Sequence, residues 1–271
     1  MTATVSSRVI EENIATAEEI AQVLRSRPEP TVRIPGAAWS VGEAAAHLAL
    51  ANRLMAEIAA GLERPYGDGS PHGLAAANTE ALAAYPERDP VVLADAIVGY
   101  ARAFAAAVTG PVGGAQEAAG CLLTPMGPLD RATLASYLLT HQLGHGYDLA
   151  RALRRPHMVN RERVELSLPF LLTAMPRVVD RHMAAGRHVR YTIGLRGVGE
   201  RYTVTLADGT VTVSRPPAPG ADCVILAEAV TFFLLALGRR TPGQALARGK
   251  ILAWGRKPWL APAFPRYFKA P

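Results

Sequence analysis

The sequence predicts a two-domain fold, an all-α antiparallel helix bundle over residues 1–160 followed by a small α+β domain over residues 161–271. Three observations predict it. A chain of 271 residues is long enough to bury two separate cores. Apolar residues recur at helical spacing, without strand patterns, through the first 155 residues. Short strand-like stretches with a hairpin turn begin only near residue 188.

The helices of the first domain have recognisable starting signals. Ser40, followed three residues later by Glu43, has the pattern of a capping box, and Asp130 is a good N-cap residue. Residues 110–128, which are rich in glycine and proline, predict a loop. The predicted helices run from Val9 to Leu24, from Ser40 to about Leu62, from His72 to Tyr85, from Pro90 to Val108 and from Asp130 to about Leu153.

The second domain is predicted to open with a bridging helix over about residues 161–186. Asp208-Gly209 is a strong hairpin-turn signal. The predicted strands are His188 to Leu195, Arg201 to Leu206, Thr210 to Val213 and Cys223 to Leu226, and the predicted helices after them are Ala229 to Leu237, Pro242 to Ala247 and Trp259 to Phe268. This order predicts a small sheet covered by helices.

Composition narrows the function classes. The net charge is +6, but the arginines are scattered and no basic helix with interleaved aromatics occurs, so we expect small anionic partners and no nucleic acid. No uninterrupted apolar run has the length of a membrane span, and residues 1–8 lack the features of a secretion signal. We therefore expect a cytoplasmic protein without a membrane span, either a monomer or a small homo-oligomer.

The strongest candidate site contains three histidines. In His141-Gln-Leu-Gly-His145 the two imidazoles lie four residues apart, on one helical face, and could bind one ion. An HxxxH pair is also typical of partly buried histidines that form hydrogen bonds. His47 lies among alanines within a predicted helix, where a buried imidazole needs a partner. That partner is either a shared metal ion or a single hydrogen bond, to a backbone carbonyl or to Glu43.

Three neutral imidazoles around a divalent ion leave a fourth position open, as in catalytic zinc sites. Such an ion deprotonates a bound thiol or acidifies a bound water. Zinc suits these ligands, as do nickel, iron and copper. The two cysteines, Cys121 and Cys223, form neither a CxxC motif nor a disulfide framework. A thiol that takes part in the chemistry is therefore expected to come from outside the protein.

Two segments carry a family resemblance over about residues 5–155. Trp39-Ser-Val-Gly-Glu-Ala-Ala-Ala-His47-Leu and His141-Gln-Leu-Gly-His145-Gly-Tyr-Asp148-Leu-Ala-Arg151 resemble the metal-binding domain of the mycothiol-dependent maleylpyruvate isomerases, a DinB-like helix bundle. The resemblance implies metal ligation by His47, His141 and His145, and mycothiol as the thiol. In the isomerases the second motif usually reads Glu-x-x-x-His, and His141 takes the Glu position here. Three-histidine sites are ordinary in the wider DinB-like group, including bacillithiol-type thiol transferases.

The C-terminal sequence is similar to a sterol-carrier-like domain, which commonly follows this bundle. The similarity lies in Ala221-Asp-Cys-Val-Ile-Leu, in Phe232-Phe-Leu-Leu-Ala-Leu-Gly-Arg239-Arg240 and in Ala247-Arg-Gly-Lys-Ile-Leu-Ala-Trp-Gly255. In the isomerase family this domain supplies part of the active-site wall, including arginine for substrate carboxylates. The resemblance therefore implies a substrate-binding role for Arg239 or Arg240, with Arg248 and Arg256 as further candidates. Each of these arginines is also typical of a solvated basic face.

Two further residues near the histidines have two interpretations each. Asp148 either orients a metal ligand or a substrate group, or forms a salt bridge with Arg151 or another arginine. Trp39 is more simply a hydrophobic staple at the helix entrance than a stacking surface for substrate. The remaining histidines lie in predicted loops or among charges and receive no role: His72, His157, His182 and His188.

The sequence therefore predicts a metal-dependent enzyme that activates a small thiol, mycothiol by resemblance. The thiolate is expected to add to an electrophilic, anionic substrate, giving cis–trans isomerisation if the adduct collapses and S-transfer if it persists. Two alternatives stay open. One is a non-catalytic carrier of a lipid or other apolar ligand, with a structural bundle. The other is hydrolysis by a metal-bound water without any thiol.

Overall fold

The computed structural model describes residues 5–110 and 121–269. The chain divides into two compact units between Val159 and Asn160. The described part of the first unit holds five helices and a short hairpin. They are α1 (Ser7–Arg25), α2 (Val41–Ala59), α3 (Leu74–Ala84), α4 (Pro90–Thr109), β1 (Leu122–Thr124), β2 (Gly127–Leu129) and α5 (Arg131–Ala152).

Local sequence determines where the long helices begin. Ser40 accepts a hydrogen bond from the backbone N–H of Glu43, whose carboxylate accepts one from the Ser40 N–H, so the predicted capping box is confirmed. Asp130 caps α5 by accepting from the N–H of Thr133. Asp89 caps α4 in the same way, and Pro90 occupies the first turn of that helix, where its missing N–H removes no helical hydrogen bond.

The bundle differs from the predicted antiparallel arrangement. Glu18 pairs with Arg102 and Arg25 with Asp95, so α1 and α4 are antiparallel. Helices α2 and α5 are also antiparallel, because His47 faces His141 while Arg131 reaches Ala59. Helices α1 and α5 are parallel: Asn13 contacts Ala135, and Ile20 lies against Gly146. Since α2 packs on α4 and α1 on α5, the order is up–down–down–up.

The first unit was predicted to be all-helical, but it also contains a short β-hairpin. Within the segment predicted as a loop, β1 and β2 pair as an antiparallel hairpin, with Thr124 opposite Gly127. The Thr124 hydroxyl donates to the Gly127 carbonyl and accepts from the N–H of Met126, which closes the turn. Strands of three residues that contain Gly127 and Pro128 carry no alternating pattern, and for this reason the sequence does not indicate them. The rest of the predicted loop, residues 111–120, lies outside the described residues.

Helix α4 is long and apolar enough to cross a membrane by length and composition alone. It packs against both α1 and α2, and its Leu93, Ile97 and Phe104 are fully buried in the first unit. A core helix of a bundle passes the same test of length and apolarity.

The second unit is an α+β fold around a five-stranded mixed sheet. Its elements are α6 (Arg161–Ala174), a 3-10 turn (Met175–Arg177), α7 (Arg181–Ala184), β3 (His188–Arg196), β4 (Arg201–Ala207), β5 (Thr210–Ser214), β6 (Cys223–Glu228), α8 (Ala229–Ala236), α9 (Pro242–Ala247), β7 (Ile251–Trp254) and a 3-10 helix (Pro258–Tyr267). The sheet order is β5-β4-β3-β6-β7, with β3 and β6 parallel and the other neighbours antiparallel. Tyr191, Ile193, Val204 and Ile225 lie in its core.

Two features of the second unit differ from the prediction, and a third confirms it. The predicted bridging helix of residues 161–186 is broken after Ala174, where Pro176 follows, and resumes only as the short α7. Strand β7 was not predicted, since four residues leave too little alternation to indicate a strand. The predicted Asp208-Gly209 turn is confirmed: both residues have positive φ (46° and 79°), and Ala207 pairs with Thr210 across it.

Candidate metal centre

The structure brings together the three histidines that the sequence singled out. His47 lies on α2, and His141 and His145 lie one turn apart on α5. One ring nitrogen of each lies within 4.8 Å of the others, and the Nε2 atoms of His47 and His141 are 2.9 Å apart. The ring centroids are separated by 4.6 to 4.9 Å in all three pairs. The antiparallel packing of α2 on α5 therefore creates the cluster.

His47 is the most deeply placed of the three. Its residue is 5% exposed, and the neighbouring Ala44, Ala45, Ala46 and Leu48 are fully buried. Burial lowers the pKa of His47 to about 4, because desolvation penalises the charged ring. The imidazole is therefore neutral near pH 7, the form in which histidine binds a metal.

Trp39 forms part of the wall of this cluster. Its ring centroid lies 4.7 Å from that of His47 and 5.7 Å from that of His145. A tight turn before α2 holds it there, in which the Ile34 N–H donates to the Trp39 carbonyl and the Val41 N–H donates to the Val32 carbonyl. The sequence favoured a role for Trp39 as a hydrophobic staple at the start of α2. In the structure Trp39 is half-buried and also contacts two of the three histidines.

Asp148 lies next to the third histidine. Its Oδ2 atom is 3.6 Å from Nδ1 of His145, and both side chains are largely buried, at 14% and 16% exposure. A carboxylate beside the second ring nitrogen of a ligand histidine orients the ring and raises its basicity. The orienting interpretation requires a carboxylate in this position, and the role of Asp148 stays a prediction.

Tyr137 is a neighbour that the sequence analysis did not single out. It lies one turn before His141 on α5, with the ring centroids 6.5 Å apart in an edge-on arrangement. Burial raises the pKa of Tyr137, so its phenol stays protonated. The spacing could have indicated it: Tyr137, His141, His145 and Asp148 share one helical stripe.

The two predicted substrate arginines belong to the second unit and have partners there. Arg239 donates to the Leu237 carbonyl, and Arg240 donates to the hydroxyl of Thr231, which itself donates to Glu228. These contacts stabilise the ends of α8. The substrate role of Arg239 and Arg240 stays a prediction.

The donor set fits a divalent metal ion. Zinc sites with imidazole ligands have metal–nitrogen distances near 2.0–2.1 Å, so tetrahedral nitrogens are about 3.3 Å apart. The Nε2 atoms of His47 and His141 are 2.9 Å apart, and all three nitrogens lie within 4.8 Å of one another, a range that includes this value. His47, His141 and His145 would hold the ion, and Trp39 and Asp148 would border it.

The match to a known protein family lies within the second unit. Residues 177–255 match the SCP-2 sterol transfer family. The comparison with curated proteins found no match to this sequence.

Several solved structures are similar to the chain. A histidine-to-alanine mutant of the mycothiol-dependent maleylpyruvate isomerase has 15% sequence identity and a TM-score of 0.52, over 86% of this chain and 89% of that one. Another structure of this isomerase has the same identity and coverage, with a TM-score of 0.48. The stereoselective inverting sec-alkylsulfatase from Pseudomonas sp. has 15% identity over 51% of this chain, which spans only 24% of that protein's length, with a TM-score of 0.34. At such identities the isomerase mutant shows a shared fold alone.

Proposed function

We propose that this protein is a divalent-metal enzyme, with zinc as the preferred ion, that activates a low-molecular-weight thiol for addition to an electrophilic, anionic substrate. The observation that carries the proposal is the convergence of His47, His141 and His145 from two helices. Mycothiol is the proposed thiol, supported by the resemblance of the two motifs and by the fold shared with the mycothiol-dependent maleylpyruvate isomerase.

The chemistry follows from the ligand charges. His47, His141 and His145 would hold a divalent ion without adding negative charge, and such an ion would supply the acidification of a bound thiol. Burial keeps His47 neutral, and Asp148 holds the ring of His145 in one orientation. The Trp39 indole lies beside His47 and His145 and would restrict the space available to a bound thiol. These residues prepare the site before the substrate arrives.

Two outcomes are compatible with such a thiolate. Addition to an unsaturated acid, rotation about the former double bond and expulsion of the thiol isomerise the substrate. If the thioether persists, the product is an S-conjugate. Arg239 or Arg240 is the proposed contact for a substrate carboxylate.

The decisive experiment measures metal content and thiol-dependent turnover in the same preparations. We expect the purified protein to retain about one equivalent of zinc, and His145→Ala to lose both the metal and turnover of maleylpyruvate-like acids with mycothiol. His72→Ala is the matched control, because His72 is an exposed histidine of the first unit outside the cluster. Wild-type metal content in His145→Ala would refute the ligation. Turnover that does not change when the thiol is withheld would favour hydrolysis by metal-bound water.

The second candidate function is transport of an apolar ligand, which the SCP-2 match over residues 177–255 favours. It predicts stoichiometric lipid after purification and unchanged ligand transfer in His145→Ala. Mass spectrometry of ligands extracted from the protein tests it. Absence of bound lipid, together with loss of the measured activity in His145→Ala, would exclude it.

A further inference from the structure

Three exposed apolar side chains lie on β7, an edge strand of the sheet in the second unit, or just after it. Leu252 and Trp254 are 49% and 42% exposed, and Trp259, just beyond the strand, is 69% exposed. Leu252 and Trp254 point to the same face of the sheet, since side chains alternate along a strand. Their pairing partners on that face, Leu226 and Val224, are half-buried. The exposed residues therefore extend an apolar strip to the free edge of the sheet.

A tight turn brings Trp259 back toward this strand. Gly255 has a φ of 112°, and a Cβ atom there would lie 3.0 Å from the Asp222 carbonyl oxygen, so the turn requires glycine. The Lys257 N–H then donates to the same carbonyl at 2.8 Å, and Pro258 opens the following 3-10 helix. These backbone contacts consequently fix the turn between Trp254, at the end of β7, and Trp259.

Cations flank the apolar side chains on both sides. Arg248 and Lys250 precede β7, Arg256 and Lys257 follow it, and residues 248–259 contain no acidic residue. Asp222 pairs with Arg256 at 2.5 Å and Lys257 at 3.3 Å, and Glu228 pairs with Lys250 at 3.6 Å. Four cations against two carboxylates leave this surface positive, with Arg256 73% exposed at its side chain.

We propose that β7 and the turn after it, with Leu252, Trp254 and Trp259 as apolar contacts and the four cations around them, form a docking surface for an anionic lipid bilayer. Tryptophan favours the boundary between lipid and water, where its ring is apolar and its N–H stays hydrated. Lysine and arginine beside it are attracted to acidic headgroups. A second copy of the chain fits less well. Symmetric antiparallel pairing of two β7 edges would set Arg248 of one copy opposite Lys257 of the other.

The test is co-sedimentation of the full-length protein with vesicles of phosphatidylserine and phosphatidylcholine in equal parts. We expect binding that weakens at high salt and on vesicles of phosphatidylcholine alone. The double variant Trp254→Ser/Trp259→Ser should bind about tenfold or more weakly, and Arg248→Gln/Lys250→Gln about fivefold or more weakly. Leu123→Ser is the matched control, because Leu123 is 65% exposed on β1 of the first unit and should bind like the wild type.

Three results would overturn the proposal. They are failure of the wild-type protein to sediment with the acidic vesicles, equal binding by the double tryptophan variant, and loss of binding in Leu123→Ser to the same extent. Circular dichroism of each variant shows whether its fold is retained. If the tryptophan variant loses its fold, the arginine–lysine variant decides the outcome, since both of its substituted side chains lie on the surface. Binding of a single-stranded oligonucleotide that the tryptophan variant loses, with vesicle binding unchanged, would assign the surface to nucleic acid instead.

Discussion

At the scale of single residues, the histidine cluster has neighbours that are not among the proposed metal ligands. Asp148 lies 3.6 Å from Nδ1 of His145, and Trp39 borders both His47 and His145. Histidine ligands with such a carboxylate are held in one tautomer and orientation. We therefore expect the metal affinity of the site to depend on Asp148 and Trp39 as well as on the three histidine nitrogens.

Replacing Asp148 by Asn tests this dependence. We expect zinc affinity to fall about 10- to 100-fold, because the amide keeps the shape but loses the charge that makes His145 a stronger ligand. A competition titration against a zinc-binding dye measures it. Asp95→Asn is the control, since Asp95 is an exposed carboxylate of the first unit paired with Arg25. Equal zinc affinity in Asp148→Asn and the wild type would contradict the orienting role.

In the second unit, the carboxylate of Asp222 also holds neighbouring groups in place. Its carboxylate accepts from the N–H of Arg190 and pairs with Arg256 and Lys257. The backbone hydrogen bond from Arg190 is the main cause that lowers the pKa of Asp222 from 3.8 to about 2, and the two cations add to it. A carboxyl group with a depressed folded pKa stabilises the fold above its unfolded pKa, and this contribution is lost as the pH falls through the folded pKa.

The stability of the second unit should therefore decrease between about pH 4 and pH 2 through Asp222. We expect Asp222→Asn to lower the free energy of unfolding by about 1–2 kcal/mol at pH 7, with the exposed cations contributing little because solvent screens them. The difference from the wild type should shrink as the pH approaches 2. Urea unfolding across this pH range measures both effects. Asp208→Asn, at an exposed turn position, should stay within about 0.5 kcal/mol.

At the scale of elements, one arginine connects the ends of three helices. The Arg131 guanidinium, in the first turn of α5, donates to the carbonyls of Val108 and Gly110 at the end of α4 and of Ala59 at the end of α2. The last carbonyls of a helix have no hydrogen-bond partner within the helix, and a cation near them also interacts favourably with the helix dipole. Because α2 and α4 are parallel, their C-termini lie at the same end of the bundle, and Arg131 can donate to carbonyls of both helices.

We expect Arg131→Ala to destabilise the first unit by about 2–4 kcal/mol, since charge-assisted hydrogen bonds to carbonyls are lost together. Arg131→Lys should recover only part of this, because an ammonium cannot span both helix ends. Thermal and urea unfolding provide the measurement. Arg102→Ala removes an exposed ion pair with Glu18 and should cost less than about 1 kcal/mol. A loss for Arg131→Ala no larger than that would show that the caps contribute little.

The elements also show which parts of the fold the sequence can indicate. The capping box at Ser40 and the Asp208-Gly209 turn act within four residues, so their signals are local and both were confirmed. The β1–β2 hairpin and β7 were missed. Strand β7 depends on its pairing with β6, and β1 pairs with β2 and also packs on the distant helix α2. Short strands leave too little alternation for detection.

At the scale of the whole molecule, the chain consists of two units that divide after Val159, each with its own core. The histidine cluster belongs to the first unit and the SCP-2 match to the second. A ligand that binds only the native form of one unit stabilises that unit by mass action.

Removal of the proposed metal ion should therefore destabilise the first unit selectively. At free zinc about 100 times the Kd, the loss of binding corresponds to about 2.7 kcal/mol. Hydrogen exchange with and without a chelator measures this by segment: protection in α2 and α5 should fall, while β3 and β6 keep theirs. An equal fall in protection in both units would show that they unfold as one.

The sequence by itself determined the helix starts and the α+β character of the second unit, because caps, turns and helical spacing depend on residues close along the chain. It also indicated three histidines as candidate ligands, and the packing of α2 on α5 brought His47 to the other two. Only the tertiary structure decided the up–down–down–up direction of the bundle, the position of Trp39 beside the cluster and the exposure of the β7 residues. These depend on packing between segments that are about a hundred residues apart or on a free sheet edge, which local patterns do not encode.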